Sequence, residues 1–208
     1  MNNIVLVNPA RCGSSWLTTA FEQTLNYNNF NAATANDIKE NWVRFDGKSV
    51  NVYKWSLEEK IELINNSTPY IAKVFTDSMV DLNLFKNADY VWLYRKDIVE
   101  HYLSFYYAIK SGVFNIDQYD NYNQPIFEED NDFTKFYVKR YNEAKKVYNN
   151  YCHLFKYEVA YEDLFTNNPW NFKPTEVNSC IKLNTYSQEI KEQVKEILKN
   201  EQINHIWL

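Results

Sequence analysis

The amino-acid sequence predicts one α/β domain over residues 1–208, with three layers in which helices flank a central, mostly parallel sheet of about four or five strands. Two observations carry this prediction. Short apolar runs rich in β-branched and aromatic residues alternate with segments of helical periodicity along the chain. The length of 208 residues suits a single domain, and the sequence contains no internal repeat, linker or low-complexity tail.

The chain begins with a predicted strand, a tight turn and a helix. Residues 3–7 form a β-branched run that ends at Asn8-Pro9. From Ser14 to about Leu25 the apolar side chains recur on one helical face, and Ser14 or Ser15 can cap that helix. The patterns that follow are, in chain order, a weak helix near 35–42, a strand near 50–54, an amphipathic helix over 57–65 and a buried strand over 70–75.

The second half continues the alternation of strand and helix. A strand over 90–94 ends at the charged residues Arg95-Lys96-Asp97, and a helix is expected over 98–110. Residues 111–132 are predicted to form a long surface loop, and loops of that length inside compact domains are often functional. The remaining elements are a helix near 133–150, a strand over 153–159 and two amphipathic helices near 174–182 and 187–200.

Composition argues against several classes of function. Lys and Arg number 22 against 27 Asp and Glu, and the net charge of -5 excludes a generally basic nucleic-acid surface. The three cysteines form no paired framework, so we expect a reducing, cytoplasmic location. The three histidines are too few and too scattered to predict a metal site. No apolar run approaches the roughly 20 residues of a membrane span, and we expect no signal peptide.

Residues 8–17 contain the parts of a phosphate-binding turn. A predicted strand leads through the turn into a helix amino terminus, whose unpaired N–H groups attract anions. Gly13 allows a positive φ and the close approach of a phosphate to the backbone. Ser14 and Ser15 add hydroxyl donors, and Arg11 adds a cation. The segment is not a Walker A loop because GxxxxGK[ST] is absent, and an ordinary capped helix after a tight turn is the alternative.

Two more candidate residues belong to predicted strands. Arg95 ends one strand, and Ser104 lies nine positions later on the next helix. A parallel sheet brings such an arginine to the edge where the first turn lies. Lys73 interrupts an otherwise apolar strand, so its ammonium group needs a partner or a cleft. The alternatives are a surface pair between Arg95 and Asp97, and a Lys73 side chain that reaches solvent at a sheet edge.

Taken together, these segments resemble the sulfotransferases that use 3′-phosphoadenosine-5′-phosphosulfate (PAPS). PARCGSSWL resembles the 5′-phosphosulfate loop of that family, and VWLYRKDIVEHYLSFYY resembles its 3′-phosphate segment. YEDL after a late strand, which alone indicates only a capped turn, is also frequent in the family. The motifs occur in the family's order and separation, over roughly residues 3–17, 70–107 and 153–169. The resemblance implies a P-loop-like fold and PAPS as co-substrate, with no metal.

The resemblance also implies a role for each matching residue. Arg11 would contact the transferred sulfuryl group and the bridging oxygen, and Lys73 would lie near the sulfuryl oxygens. The loop that would hold the 5′-phosphate comprises Cys12, which stands where the family usually has Ser, and Gly13, Ser14 and Ser15. The residues that would bind the 3′-phosphate are Arg95 and Ser104, and those that would contact adenine are Trp16 and Tyr161.

Besides Cys12 and an Arg95-to-Ser104 spacing one residue longer than in the cytosolic animal enzymes, the chain departs from the family at two places. Phe75 stands where the cytosolic animal enzymes carry a catalytic histidine, so that base is missing. No glycine follows Gly112, so the family's glycine-rich carboxyl-terminal phosphate segment is missing too.

A general base must take the acceptor's proton. Glu40 is the first candidate, because residues 38–42 weakly resemble the segment that supplies a Glu base in the carbohydrate and tyrosyl-protein sulfotransferases, with a solvated helix Glu as the alternative. Asp77, just past the strand that carries Lys73, is the second candidate. His101 is expected to be structural or peripheral.

The expected acceptor is a hydroxyl of a small molecule or saccharide, with the aromatic, acidic loop 113–132 closing over it. Because 208 residues are few for this family, the acceptor site is either open or completed by a second subunit in a homodimer. No nucleic-acid or membrane partner is expected. Two alternatives stay open. One is a P-loop kinase-like phosphotransferase, against which the missing Walker motif argues, and the other is a non-catalytic module that binds the nucleotide.

Overall fold

The computed structural model of the chain describes residues 2–30, 42–45, 48–52, 54–77, 81–112, 125–173 and 186–203. In these ranges the strands are β1 (Asn3–Asn8), β2 (Asn28–Phe30), β3 (Trp42–Phe45), β4 (Lys48–Asn51), β5 (Tyr70–Phe75), β6 (Ala88–Tyr94) and β7 (Phe155–Ala160). The α-helices are α1 (Ser14–Leu25), α2 (Leu57–Asn66), α3 (Ile98–Ser111), α4 (Asn131–Tyr151) and α5 (Gln188–Asn200). Strands and helices therefore alternate along most of the described chain.

The described strands form one sheet in the order β4-β3-β2-β5-β1-β6-β7. The strands β2, β5, β1, β6 and β7 run parallel to one another. β3 is antiparallel to both β2 and β4, and β3 and β4 extend one edge of the sheet. β1 lies inside the parallel part, with Val7 opposite Val74 of β5 and Trp92 of β6. The predicted α/β class, with a central and mostly parallel sheet flanked by helices, is confirmed.

Different helices cover the two faces of the sheet. Leu6 of β1 belongs to the cluster of buried side chains that includes Leu17 of α1. Its neighbour Val7 belongs to the cluster on the opposite face, with Trp92 of β6 and Tyr102 of α3. This division follows from the strand itself, because successive side chains point to opposite faces. Burying each large apolar side chain contributes about 1.5–3 kcal/mol, so both layers stabilise β1 and the turn that follows it.

Several boundaries differ from the sequence prediction. The strand expected near 50–54 is β4, and β2 was not predicted because three residues are too short to show a period of two. Of the weak helix expected near 35–42, only Trp42 lies in the described ranges, and there it begins β3. The expected loop 111–132 ends where α4 begins, and residues 113–124 lie outside the described part, as does the helix expected near 174–182.

The helices differ in how their amino termini are capped. Side-chain oxygens cap four of the five described α-helices, and the residues that supply them are Ser56, Asp97, Asp130 and Ser187. α1 instead follows Gly13, has no side-chain cap and carries no acidic residue in its first turn. The expected cap by Ser14 or Ser15 is wrong, because both serines lie inside the helix. The amino terminus of α1 is therefore open to an external acceptor.

Candidate functional site

Three cationic residues meet at the carboxyl ends of neighbouring parallel strands. Arg11 follows β1, Lys73 lies near the end of β5, and Arg95 follows β6. Since β1 lies between β5 and β6, Arg11 lies between the other two residues. The carboxyl edge of a parallel sheet is where such folds bind ligands, so the three predicted cations share one candidate site.

The turn that connects β1 to α1 has an unusual backbone. Arg11 and Gly13 both have positive φ, 69° and 78°. For an arginine this left-handed conformation costs roughly 1–2 kcal/mol, so surrounding contacts must hold it in place. Gly13 adopts it without that cost, and a Cβ atom there would lie 2.5 Å from Cδ2 of Tyr161. The ring of Tyr161 is therefore what requires glycine in this structure, a neighbour that the sequence did not indicate.

The two serines that begin α1 point to different partners. The Ser14 hydroxyl is buried and accepts a hydrogen bond from Nδ2 of Asn8 at 3.3 Å. The Ser15 hydroxyl belongs to an exposed residue and accepts a hydrogen bond from Nζ of Lys73 at 3.4 Å. Neither hydroxyl caps α1, and the bond to Ser15 places the Lys73 ammonium group beside the first turn of the helix.

Lys73 is a buried cation with a weak set of partners. It is 4% exposed, it bonds to Ser15, and its ammonium nitrogen lies 4.8 Å from the centre of the Phe75 ring. None of the described carboxylates forms an ion pair with it. Burial and, next, the positive charge of Arg11 lower the pKa of Lys73 from 10.5 to about 7. A negatively charged ligand at this place would supply the missing counter-charge.

Arg95 lies on the other side of Arg11 and is 9% exposed. Its Nη1 donates to the backbone carbonyl of Glu100 at 3.0 Å, and its guanidinium carbon lies 4.2 Å from the ring centre of Tyr161. The buried Nε has no hydrogen-bond partner. The pair with Asp97 that the sequence left as an alternative does not form, because the Asp97 carboxylate caps α3.

Ser104 connects the two predicted phosphate motifs. Its hydroxyl accepts a hydrogen bond from Nε of Arg11 at 3.3 Å, and the residue is 8% exposed. The serine that was expected to serve the 3′-phosphate thus contacts the arginine that was expected to serve the sulfuryl group. Both motifs belong to one connected cluster.

Trp16 and Cys12 lie deeper than the sequence suggested. Trp16 is 4% exposed, and its ring packs edge-on against Phe165 at a centroid distance of 5.0 Å. An adenine ring would have to displace Phe165 to stack on Trp16, so the structure gives no support to that role. The Cys12 thiol is fully buried, and burial raises its pKa to about 12, which keeps it protonated and unreactive.

A cleft opens on the side of the Pro9-Ala10 backbone that faces the helices α3 and α4, next to the strand ends. Its cavity volume is about 20 Å³, and about 320 Å³ when the open mouth is included. The residues that line it are Pro9, Ala10, Thr76, Asp77, His101, Phe105, Tyr137, Arg140 and Tyr141. Asp77, the second candidate base, forms an ion pair with Arg140 at this cleft. Glu40, the first candidate, lies outside the described residues.

His101 is more central than the sequence indicated. It is buried beneath the turn, with Nε2 2.8 Å from the carbonyl oxygen of Ala10 and Nδ1 2.8 Å from the hydroxyl of Tyr137. Its position three residues before Ser104 on α3 was the only signal in the sequence, since side chains three apart share a helix face. Arg140 gave no comparable signal, because 63 positions separate it from Asp77.

Comparisons with known proteins add no relative to this description. Nothing among the family models, the curated proteins or the solved structures with which the chain was compared matches it. Across the described ranges, no three His, Cys, Asp or Glu side chains are grouped so as to hold a metal ion. Likewise, no helix in those ranges has both the length and the apolar character needed to cross a bilayer.

Proposed function

We propose that the protein is a PAPS-dependent sulfotransferase, which moves a sulfuryl group from PAPS to a hydroxyl of a small molecule or saccharide. One observation carries the proposal. The uncapped amino terminus of α1 meets Lys73, a buried cation for which no described carboxylate is a partner. Both features favour an anion at the same place, and they come from different strands of the sheet.

The physical argument for a polyanion is one of charge balance. Burying a cation is costly unless it is paired, and here Lys73 and Arg95 are both at most 9% exposed without a described carboxylate partner. Arg11 stands between them and lowers the pKa of Lys73 by repulsion. A bound phosphosulfate would relieve that repulsion and would accept hydrogen bonds from the first turn of α1.

A second anionic group is favoured by the position of Arg95. Its unpartnered Nε is buried close to the turn, one strand away from the α1 site. An arginine fork suits the oxygens of a phosphate. The proposal assigns the 5′-phosphosulfate to α1, Arg11 and Lys73, and the 3′-phosphate to Arg95 and Ser104, with Tyr161 held close by its stacking on Arg95.

Sulfuryl transfer to a hydroxyl is an in-line displacement. The acceptor oxygen attacks sulfur while the bond from sulfur to the bridging oxygen breaks, and adenosine 3′,5′-bisphosphate leaves with the electron pair. Arg11 and Lys73 place positive charge where negative charge develops on the bridging oxygen. The acceptor's proton passes to a carboxylate, for which Asp77 at the cleft and Glu40 outside the described residues are the candidates.

Phe75 favours a second candidate function. Its ring occupies the position of the family's catalytic histidine and lies against Lys73. A chain that kept the anion site and lost the base would be a non-catalytic nucleotide-binding module. The kinase-like alternative has no such observation in its favour.

A thermal-shift measurement with adenosine 3′,5′-bisphosphate and with ATP-Mg²⁺ tests the nucleotide assignment. We expect the bisphosphate to raise the melting temperature at concentrations where ATP-Mg²⁺ does not. Stabilisation by ATP-Mg²⁺ alone would reject PAPS as the co-substrate. Transfer of labelled sulfate from PAPS to a panel of phenols, steroids and saccharides then separates the enzyme from the non-catalytic module.

A further inference from the structure

Outside the predicted phosphate contacts, His101 forms hydrogen bonds with two neighbours beneath the turn. We propose that His101 is a positioning residue: its imidazole ties the Ala10 carbonyl to Tyr137 of α4 and thereby holds Arg11 in the conformation that the anion site needs. This inference rests on the proposed function, because a bound anion is what makes the position of Arg11 functionally important. The contacts themselves are independent of it.

The hydrogen bonds define one tautomer of His101. A carbonyl oxygen only accepts, so Nε2 must carry a proton and donate it to Ala10 over 2.8 Å. In the neutral ring Nδ1 is then an acceptor, and it receives the hydroxyl proton of Tyr137 over 2.8 Å. Both ring nitrogens are therefore used.

The same conclusion follows from the charges around the ring. Burial, opposed by the bond to Ala10 and then aided by the positive charges of Arg95 and Arg11, lowers the pKa of His101 to about 3. The imidazole is neutral at physiological pH, and neither nitrogen has a spare lone pair to take a proton from an acceptor. His101 is thus excluded as the general base, even though it lines the cleft.

Anchoring the Ala10 carbonyl controls the backbone of the next residue. The peptide plane between Ala10 and Arg11 is fixed by two rotations, one of which is φ of Arg11. A carbonyl oxygen held in place therefore restrains that φ, which lies at 69° in the unfavourable left-handed region. The Cys12 thiol, with Sγ 3.8 Å from the same carbonyl, is a weaker second donor.

α3 holds Arg11 at two points. His101 fixes its backbone through Ala10, and Ser104, on the same face of the helix, accepts from its guanidinium Nε at 3.3 Å. Tyr137 links this clamp to α4, which lies on the cleft side. Contacts from α3, supported by α4, thus set the direction of the Arg11 side chain.

The test compares His101→Leu with His101→Gln by titration calorimetry with adenosine 3′,5′-bisphosphate. Leucine keeps the apolar volume and removes the donor, whereas glutamine retains an N–H that reaches toward Ala10. We expect His101→Leu to bind at least about tenfold more weakly than the wild type, and His101→Gln to recover most of that loss. A merely structural role would lower stability without this rescue of affinity.

Leu198→Ala is the matched control for stability, because Leu198 is a buried core residue of α5 away from the turn. Its binding should equal that of the wild type although its melting temperature falls. Binding by His101→Leu within about twofold of the wild type would overturn the inference. If the wild type itself binds no bisphosphate, the proposed function is wrong and the inference falls with it.

Nitrogen NMR of the imidazole supplies a readout that needs no ligand. We expect the Nε2–H tautomer and no titration of His101 between about pH 5 and 8. A titrating His101, or an Nδ1–H tautomer, would contradict the positioning role even in a protein that binds PAPS.

Discussion

The guanidinium Nε of Arg11 donates a hydrogen bond to the hydroxyl of Ser104 over 3.3 Å, although 93 positions separate the two residues in the chain. This bond joins the turn after β1 to the helix after β6, because β1 and β6 are neighbours in the sheet. The two segments that resemble separate phosphate-binding motifs therefore act on each other. A change in one is expected to alter ligand binding at the other.

Ser104→Ala tests this connection. Removing the hydroxyl takes one donor from the proposed 3′-phosphate and one acceptor from Arg11, and hydrogen bonds to charged groups contribute about 1.5–3 kcal/mol. We expect affinity for adenosine 3′,5′-bisphosphate to fall by at least about tenfold, measured by calorimetry. Affinity for adenosine 5′-phosphate, which lacks the 3′-phosphate, should fall by a smaller factor, which reports the acceptor that Arg11 loses. Equal losses for both nucleotides would contradict the assignment of Ser104 to the 3′-phosphate.

Lys73 predicts a pH dependence of stability. Its pKa is lowered to about 7 in the folded chain by burial, so between that pH and its ordinary value of 10.5 the folded chain holds it neutral while the unfolded chain holds it charged. The unfolded state binds more protons there, so stability rises with pH across this window, by up to about 1.4 kcal/mol per pH unit.

Lys73→Met removes this dependence, and urea denaturation at about pH 7, 8 and 9 measures it. The variant should exceed the wild type in free energy of unfolding most at the lowest of these pH values, and the difference should shrink as pH rises. Lys195→Met, at an exposed position, is the control for removal of a lysine charge. A difference that is constant with pH would mean that Lys73 stays charged in the folded state.

Ligand binding is expected to reverse the shift at Lys73. A bound phosphosulfate places negative charge beside the ammonium group and raises the Lys73 pKa, so binding at about pH 8 takes up a proton. Calorimetry of adenosine 3′,5′-bisphosphate in two buffers with different ionisation enthalpies measures that proton. The apparent enthalpy should depend on the buffer for the wild type and lose that dependence in Lys73→Met. Buffer-independent enthalpy in the wild type would remove Lys73 from the anion site.

Gly13→Ala should cost more stability than the same change at Gly112. Both glycines have positive φ, but a Cβ at Gly13 would meet the Tyr161 ring at 2.5 Å, whereas nothing lies within 4 Å of one at Gly112. Gly112→Ala therefore measures the backbone cost alone, about 1 kcal/mol. Gly13→Ala adds the clash and should be at least about 1–3 kcal/mol worse by urea denaturation. Equal losses would show that the Tyr161 ring yields without cost.

The sequence predicted the elements whose patterns are local. The apolar face of residues 14–25 and the β-branched run of residues 3–7 gave α1 and β1 within a residue or two, because their periods depend on neighbours in the chain. The short strands β2 and β3 were missed because three or four residues carry too little pattern. Their positions depend on pairing with other strands of the sheet, and such pairing leaves no local pattern in the sequence.

The candidate site, too, was predicted only in part from the sequence. The strand pattern placed Arg11 and Arg95 at the carboxyl edge of a parallel sheet, and the resemblance placed Lys73 near the same ligand. It did not predict the burial of Trp16 beneath Phe165, which depends on the chain after β7. Nor did it predict the contact of His101 with Ala10, since hydrogen bonds between distant residues leave no spacing in the sequence.

The last prediction concerns the general base. Asp77 follows β5 and lines the cleft beside Pro9-Ala10. If its carboxylate takes the acceptor's proton, Asp77→Asn should lower kcat by about 10²–10⁴-fold and leave the affinity for adenosine 3′,5′-bisphosphate unchanged. Asp89→Asn is the matched control, because Asp89 also forms an ion pair, with Lys156 at 2.6 Å, but far from the cleft on the amino-terminal half of β6. Full activity in Asp77→Asn together with its loss in Glu40→Gln would transfer the role to Glu40, and full activity in both would exclude both carboxylates.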